Sequence, residues 1–162
     1  MCVPQTSKNT AKHQVATDDS AKYNDRSLST LTRAIAMSQG SCSLILVHCN
    51  SLSLRQQIVD RLAANSAPPP MQLRLSKSAT TLFTTIAAQI GGAQPPALNI
   101  LGLESVAEVD RLLLSTNLLC SEFAKTFSFP LVFWVTDEIL RKIIRIAPDL
   151  YNRMPTAIRF VL

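Results

Sequence analysis

The chain has few glycines, few cysteines and no long apolar run. Only 4 of its 162 residues are glycine and 4 are cysteine, and no two cysteines are spaced as Cys-x-x-Cys. We therefore expect no zinc site, and we expect Cys42, Cys49 and Cys120 to be packed thiols. No run reaches the ~18 apolar residues of a membrane-spanning helix. Residues 1–25 lack the apolar core of a secretory signal, so we expect a cytoplasmic protein that binds no membrane.

The composition is that of a globular domain with a modest positive charge. Hydrophobic residues make up 47% of the chain and charged residues 17%, which suits one folded domain and not a disordered chain. The net charge of +5 permits weak contact with acidic partners. The cations are spread along the chain and are not interleaved with aromatic residues. We therefore expect no sequence-specific binding of nucleic acid.

From residue 27 onwards, short apolar runs alternate with amphipathic stretches. The alternation predicts an α/β domain over residues 27–162, with three α/β/α layers and a mostly parallel five-stranded sheet. Residues 1–26 are polar, and we expect them to form a disordered arm. The predicted strands are near residues 43–48, 71–75, 97–103, 131–135 and 156–162, and the predicted helices are near 27–39, 54–64, 81–90, 107–126 and 138–147. Because the chain ends inside the last predicted strand, we expect a domain truncated at its C-terminus.

The turn after the first strand lacks the residues of a phosphate-binding loop. Such a loop needs glycines that expose backbone N–H groups, a lysine for the phosphate oxygens and a hydroxyl for magnesium. The turn here, residues 50–55, reads Asn-Ser-Leu-Ser-Leu-Arg, with neither glycine nor lysine. Ser53 and Gln56 have the spacing of a capping box for the helix that follows. Arg55 is the one cation placed to approach an anion at that helix N-terminus.

Polar residues follow the predicted strands, where ligands of parallel sheets usually bind. The candidate nucleotide- or anion-binding rim consists of six residues: Asn50, Ser51, Arg55, Glu104, Thr136 and Asp137. Each of them can also be a helix cap or a strand-end turn, and Asp137 is predicted to cap the last helix. Glu104 follows the third strand, later than a magnesium-binding aspartate normally stands. We therefore expect no resident cofactor or metal, with ATP and magnesium as the alternative.

No set of catalytic side chains is evident. A nucleophile–histidine pair would need His48, but Cys49 beside it points to the other face of a strand. We expect His48 to be a core or strand-end histidine and Trp134 to be a core residue. Arg141, Lys142 and Arg145 form a basic face on the last helix. This face is either simply solvated or a docking surface for an acidic partner or a neighbouring domain.

Several segments resemble a known domain. They are residues 31–35, 39–50 and 101–105, the Phe-Pro-Leu-Val-Phe-Trp-Val-Thr-Asp-Glu of residues 129–138, and the Arg-Ile-Ala-Pro-Asp of residues 145–149. Over residues 28–162 the chain is similar to the N-terminal AAA/STAND-type domain of large bacterial tetratricopeptide-repeat proteins, common in cyanobacteria. The resemblance implies a P-loop-type fold with a degenerate phosphate loop, in which Thr136 or Asp137 stands at the sensor position. It also implies a scaffold or signalling role for a domain that helical repeats follow.

Three hypotheses follow for the function. The first is a non-catalytic module, not an enzyme, that binds other proteins or a neighbouring repeat domain. The second is a residual nucleotide binder or weak NTPase that uses the candidate rim. The third is a truncated remnant of a larger repeat protein. The missing glycines and lysine favour the first hypothesis over the second.

Overall fold

The computed structural model describes residues 7–162, with side chains described from residue 17 onwards. One five-stranded sheet has the order β2-β3-β4-β1-β5, and each neighbouring pair is parallel. The strands are β1 Leu44–His48, β2 Met71–Arg74, β3 Leu98–Leu101, β4 Leu131–Val135 and β5 Ile158–Arg159. The helices are α1 Ser7–Met37, α2 Leu52–Ala64, α3 Leu82–Ile90, α4 Val109–Leu118, α5 Cys120–Thr126, α6 Asp137–Ile146 and α7 Pro148–Asn152. The predicted α/β class and parallel sheet are confirmed.

Two hydrophobic cores lie on opposite faces of the sheet, which gives the three layers. Successive side chains of a strand point to opposite faces, so a strand buried on both sides needs apolar residues throughout. β1 and β4 meet this requirement, since every residue of both strands is buried. One core is formed with α3 to α7 and includes Leu46 and Phe133. The other is formed with α1 and α2 and includes Val47 and Trp134.

Helix α1 is much longer than the sequence predicted. It begins at Ser7 and replaces the disordered arm expected for residues 1–26, of which residues 1–6 lie outside the described part. Two polar residues near the middle of α1, Ser20 and Asn24, find partners far along the chain. The Asn24 amide donates to the carbonyl of Val161 (2.6 Å) and accepts from its N–H (2.9 Å), and the Ser20 hydroxyl donates to the carbonyl of Leu162 (3.1 Å). Among the described helices, none is both long and apolar enough to cross a membrane.

Three other elements differ from their predicted form. The single helix predicted over residues 107–126 is two helices, α4 and α5, which are separated by Leu119. The side chain of Leu119 is 37% exposed and does not belong to the core. Pro148 does not end the helical region, because it occupies the first turn of α7, where its missing N–H is not needed. Strand β5 has only two residues in place of the predicted seven.

Candidate functional site

The loops after β1, β4 and β3 meet at one edge of the sheet, because these strands are adjacent and parallel. Residues from all three loops belong to the predicted rim. The structure arranges them in two separate bonded groups and two helix caps. Arg55 pairs with Glu104, and Asn50 pairs with Asp137, while Ser51 and Thr136 are caps.

Helix α2 begins earlier than the proposed capping box would place it. The hydroxyl of Ser51 accepts from the N–H of Leu54 (3.2 Å), so Ser51 is the N-cap and Ser53 is not. The side chain of Gln56 binds Asp60 (2.8 Å) and does not return to the helix start. The cap therefore supplies one of the helix N–H groups with a partner from the chain itself.

Arg55 and Glu104 form an ion pair beneath the edge. Arg55 Nη1 donates to Glu104 Oε1 at 2.7 Å, and Arg55 Nη2 donates to the carbonyl of Cys49 at 3.3 Å. The Arg55 side chain is 5% exposed and that of Glu104 is 21% exposed. Arg55 Nε and Glu104 Oε2 have no partner among the described residues. The charge that sequence analysis assigned to a bound anion is thus neutralised by a carboxylate of the same chain.

Gly102 makes this pairing geometrically feasible. It has a φ of +86°, a conformation that residues with a Cβ rarely adopt, and it turns the chain into a short 3-10 helix over Leu103–Ser105. A Cβ at Gly102 would lie 3.2 Å from the carbonyl oxygen of Leu75. The sharp turn directs Glu104 back towards α2, whereas a straight continuation of β3 would not.

A small cleft lies beside the ion pair. Its volume is about 160 Å³, and it is lined by Leu52, Arg55, Gln56, Arg74, Leu75, Gly102, Glu104 and Ser105. Binding pockets for small organic molecules are typically ~300–1,000 Å³. The cleft is therefore smaller than a pocket that encloses a whole nucleotide.

Asp137 is held by the last residue of β1 and by a residue of the loop that follows it. Asn50 Nδ2 donates to Asp137 Oδ2 (2.9 Å), and Asn50 Oδ1 accepts from the Asp137 N–H (2.8 Å). His48 Nε2 donates to Asp137 Oδ1. The hydrogen bond from Asn50 and then that from His48 lower the pKa of Asp137. The predicted cap at Asp137 is wrong, because the hydroxyl of Thr136 accepts from the N–H of Ile139 (3.4 Å).

His48 is a strand-end residue with a partner that sequence analysis did not foresee. It is 7% exposed, and its Nδ1 is buried without a partner among the described residues. Cys49 belongs to the core on the opposite face of the sheet, as predicted. The sequence gives only a weak indication of the His48–Asp137 bond. Both residues are polar and lie at the end of an apolar run.

Burial disfavours the thiolate form, which is the nucleophilic form, of two cysteines. Burial raises the pKa of Cys42 to about 11 and also raises that of Cys49. Cys49 and Cys120 are buried and Cys42 is half-buried, all three as free thiols, so their predicted packing role is confirmed. Trp134 is also a core residue, and its indole N–H donates to Asn99 (3.0 Å), a buried partner that sequence analysis missed.

The basic face of α6 is smaller than predicted. Lys142 Nζ donates to Asp110 Oδ1 of α4 at 2.7 Å, so Lys142 forms an ion pair that joins α6 to α4. Arg141 and Arg145 are exposed, and Arg141 Nε donates to the carbonyl of Asp137 (3.2 Å). Neither arginine forms an ion pair with a carboxylate of the part of the chain that the structure describes.

No family model matches the chain, and no curated protein matches it either. Within the described residues, no three histidine, cysteine or acidic side chains are grouped so that they could hold a metal ion.

Proposed function

We propose that this domain is a non-catalytic, P-loop-like module that mediates protein–protein contact in scaffolding or signalling. The observation that carries the proposal is the Arg55–Glu104 ion pair. It joins the helix that would follow a phosphate loop to Glu104, the candidate carboxylate after the third strand. A nucleotide would have to separate two charges that are paired under the edge of the sheet.

Three features of the loops support the same conclusion. The turn after β1 has no glycine, and Ser51 already caps α2. Asp137 at the sensor position is bound by Asn50 and His48. The adjoining cleft, at about 160 Å³, has no room for a base and ribose. The AAA/STAND-type resemblance and the link to tetratricopeptide-repeat proteins are part of this proposal.

A second candidate is residual binding of nucleotide or phosphate, with a weak NTPase as its enzymatic form. One observation favours it: Arg55 Nε and Glu104 Oε2 are unpartnered atoms beside the cleft. Such atoms usually have a hydrogen-bond partner when they are buried. Arg55, Asn50 and Ser51 would then have to hold the triphosphate, and Glu104 and Asp137 would have to hold magnesium.

Calorimetric titration of the folded chain with magnesium ATP and magnesium ADP distinguishes the two candidates. The non-catalytic proposal predicts no binding tighter than a Kd of ~1 mM, which corresponds to about 4 kcal/mol. Saturable binding below that limit, lost in Asp137→Ala, would overturn it in favour of the second candidate. Asn152→Ala, which removes an exposed polar side chain of α7, is the matched control.

A further inference from the structure

We propose that the α6–β5 groove binds an acidic amphipathic segment of a partner protein. The groove is defined by an apolar floor of Leu140, Ile144 and Tyr151 and a basic rim of Arg141, Arg145 and Arg159. The proposal rests on the interaction role proposed above and adds to it the binding surface and the chemistry of the partner.

The floor consists of partly exposed apolar side chains, and polar side chains such as Thr156 line the cavity beside them. A cavity of about 420 Å³ lies between α6, α7 and β5, and Leu140, Tyr151 and Arg159 are among its lining residues. Ile144 lies one turn beyond Leu140 on the same side of α6 and is 47% exposed, while Tyr151 is 37% exposed. Protein interfaces commonly have such a floor of aliphatic and aromatic side chains.

The groove exists because β5 is short and lies at the edge of the sheet. Phe160 belongs to the core formed with α1 and α2, and Ile158 packs against that core. The strand alternation therefore directs Arg159, between them, to the α6 side. The sheet face beside Arg159 is open to solvent, because no helix among the described residues covers it. The cavity between α6, α7 and β5 lies at this place.

The charge of the rim indicates the partner. Arg141, Arg145 and Arg159 are exposed, and none of them pairs with a carboxylate in residues 17–162. The nearby carboxylate of Asp137 already accepts from Asn50 and His48. A partner with apolar side chains flanked by Asp or Glu would match both the floor and the rim.

A helical partner suits the dimensions of the groove. Helix α6 has ten residues, which correspond to about 15 Å, or nearly three turns of a partner helix. Nucleic acid or an anionic membrane would engage the three arginines through phosphates. Nucleic acid would leave the floor of Leu140, Ile144 and Tyr151 without an apolar partner. The flat surface of a membrane would not fill the cavity between α6, α7 and β5, so the acidic segment is the better fit.

Selection of peptides of about 16 residues, long enough for four helical turns, from a displayed random library on the full chain tests the proposal. We expect the enriched peptides to combine apolar residues at helical spacing with an excess of Asp and Glu. Measured by fluorescence anisotropy, their Kd should rise at least ~10-fold in Ile144→Asp and in Arg141→Glu/Arg145→Glu, because both the floor and the rim are needed. Binding should also weaken as salt rises from about 50 to about 300 mM.

Two exposed sites outside the groove provide matched controls. Leu118→Asp repeats the apolar-to-acidic change at a residue that is 73% exposed on α4, and Arg26→Glu/Arg33→Glu repeats the double charge reversal on α1. Neither should change the Kd more than ~2-fold, the range of neutral interface positions. Circular dichroism confirms that each variant is folded.

Several results would overturn the proposal. They are an absence of enriched peptides on the folded chain, enrichment without acidic residues, and equal losses in the groove and control variants. Tighter binding of polyuridylate or of phosphatidylserine vesicles, lost in the same groove variants, would instead assign the surface to nucleic acid or membrane. A nucleotide titration that shows binding while the peptides bind as expected would overturn the proposed function and leave the groove in place.

Discussion

At the scale of single residues, the site consists of polar side chains that form hydrogen bonds and an ion pair with one another. Sequence analysis selected Arg55 and Glu104 as candidates for binding a ligand but did not predict that they bind each other. The two residues are 49 positions apart, and their contact depends on the turn at Gly102. No local pattern contains that information. Their residue types and their places after strands were nevertheless readable, which is why both were in the predicted rim.

The Arg55–Glu104 pair should show strong thermodynamic coupling. Glu104→Leu leaves the buried Arg55 guanidinium without its carboxylate, and breaking a buried pair in this way typically costs ~3–5 kcal/mol. The double variant Arg55→Leu/Glu104→Leu removes both charges, so we expect it to recover most of that loss in the free energy of unfolding. Urea denaturation of the four species measures the coupling.

The exposed pair of Arg111 and Glu108 is the control for this cycle. Its atoms are 3.7 Å apart, and its side chains are 70% and 62% exposed. The same substitutions there should change the free energy of unfolding by less than about 1 kcal/mol. A double variant at Arg55 and Glu104 as unstable as the sum of the single variants would show that the two side chains act independently.

Asp137 should make stability depend on pH in the acid range. Hydrogen bonds from Asn50 and His48 lower its folded-state pKa below the ordinary value of 3.8. The resulting stabilisation is present above pH 3.8 and is lost as the pH falls through the lowered folded value. In Asn50→Ala we expect the pKa of Asp137 to rise, and the stability difference from the wild type to shrink in acid.

Carboxyl ¹³C NMR titration of the wild type and Asn50→Ala measures this pKa. Asn152→Ala serves as the control, because it removes an exposed amide elsewhere on the surface. An unchanged Asp137 titration in Asn50→Ala would mean that the hydrogen bonds from Asn50 do not stabilise the carboxylate.

At the scale of elements, the central strands β1 and β4 were predicted more accurately than the start of α1 or the extent of β5. The continuous apolar runs of β1 and β4 identify buried parallel strands because both faces need apolar residues. The start of α1 was not predictable in the same way. Its first half is polar, and the partners of Asn24 and Ser20 lie more than 130 residues away. The start of α2 was misjudged because Ser51 and Ser53 both have a capping hydroxyl.

Gly102 is the turn on which the position of Glu104 depends. Gly102→Ala should cost about 2 kcal/mol or more, since the left-handed backbone alone costs ~1–2 kcal/mol for an L-residue and the new Cβ would also crowd Leu75. Gly40→Ala is the matched control, because Gly40 has a φ of +80° with open space around it. Thermal or urea denaturation compares the two, and equal losses would contradict a steric role for Leu75.

Asn24 should hold the C-terminal strand against α1. Its amide makes two hydrogen bonds to the backbone of Val161, and Asn24 is 7% exposed. Asn24→Ala should destabilise the protein by ~1–3 kcal/mol, and hydrogen exchange at the Val161 amide should accelerate. Asn24→Asp, which keeps the acceptor for the Val161 N–H, should protect that amide better than Asn24→Ala. Unchanged exchange in both variants would contradict this role.

At the scale of the whole molecule, two cores share one sheet, and the candidate site lies where its central strands end. The alternating pattern of strands and helices was enough to predict the α/β class and the parallel sheet. It did not predict that the polar side chains at this edge bind one another, because those contacts join residues at the ends of β1, β3 and β4, which are far apart in the sequence. The groove beside β5 was also not predictable, since it follows from the short length of that strand.

The central claim is that the chain's own charges occupy the place where a nucleotide would bind. An NMR titration of the ¹⁵N-labelled chain with magnesium ATP tests it residue by residue. With ATP at up to about 5 mM, which would reveal a Kd near 1 mM, we predict no saturable shifts of the amides of residues 50–55 and 102–105. Saturable shifts confined to those two loops would contradict the claim and show that the Arg55–Glu104 pair opens to admit a nucleotide.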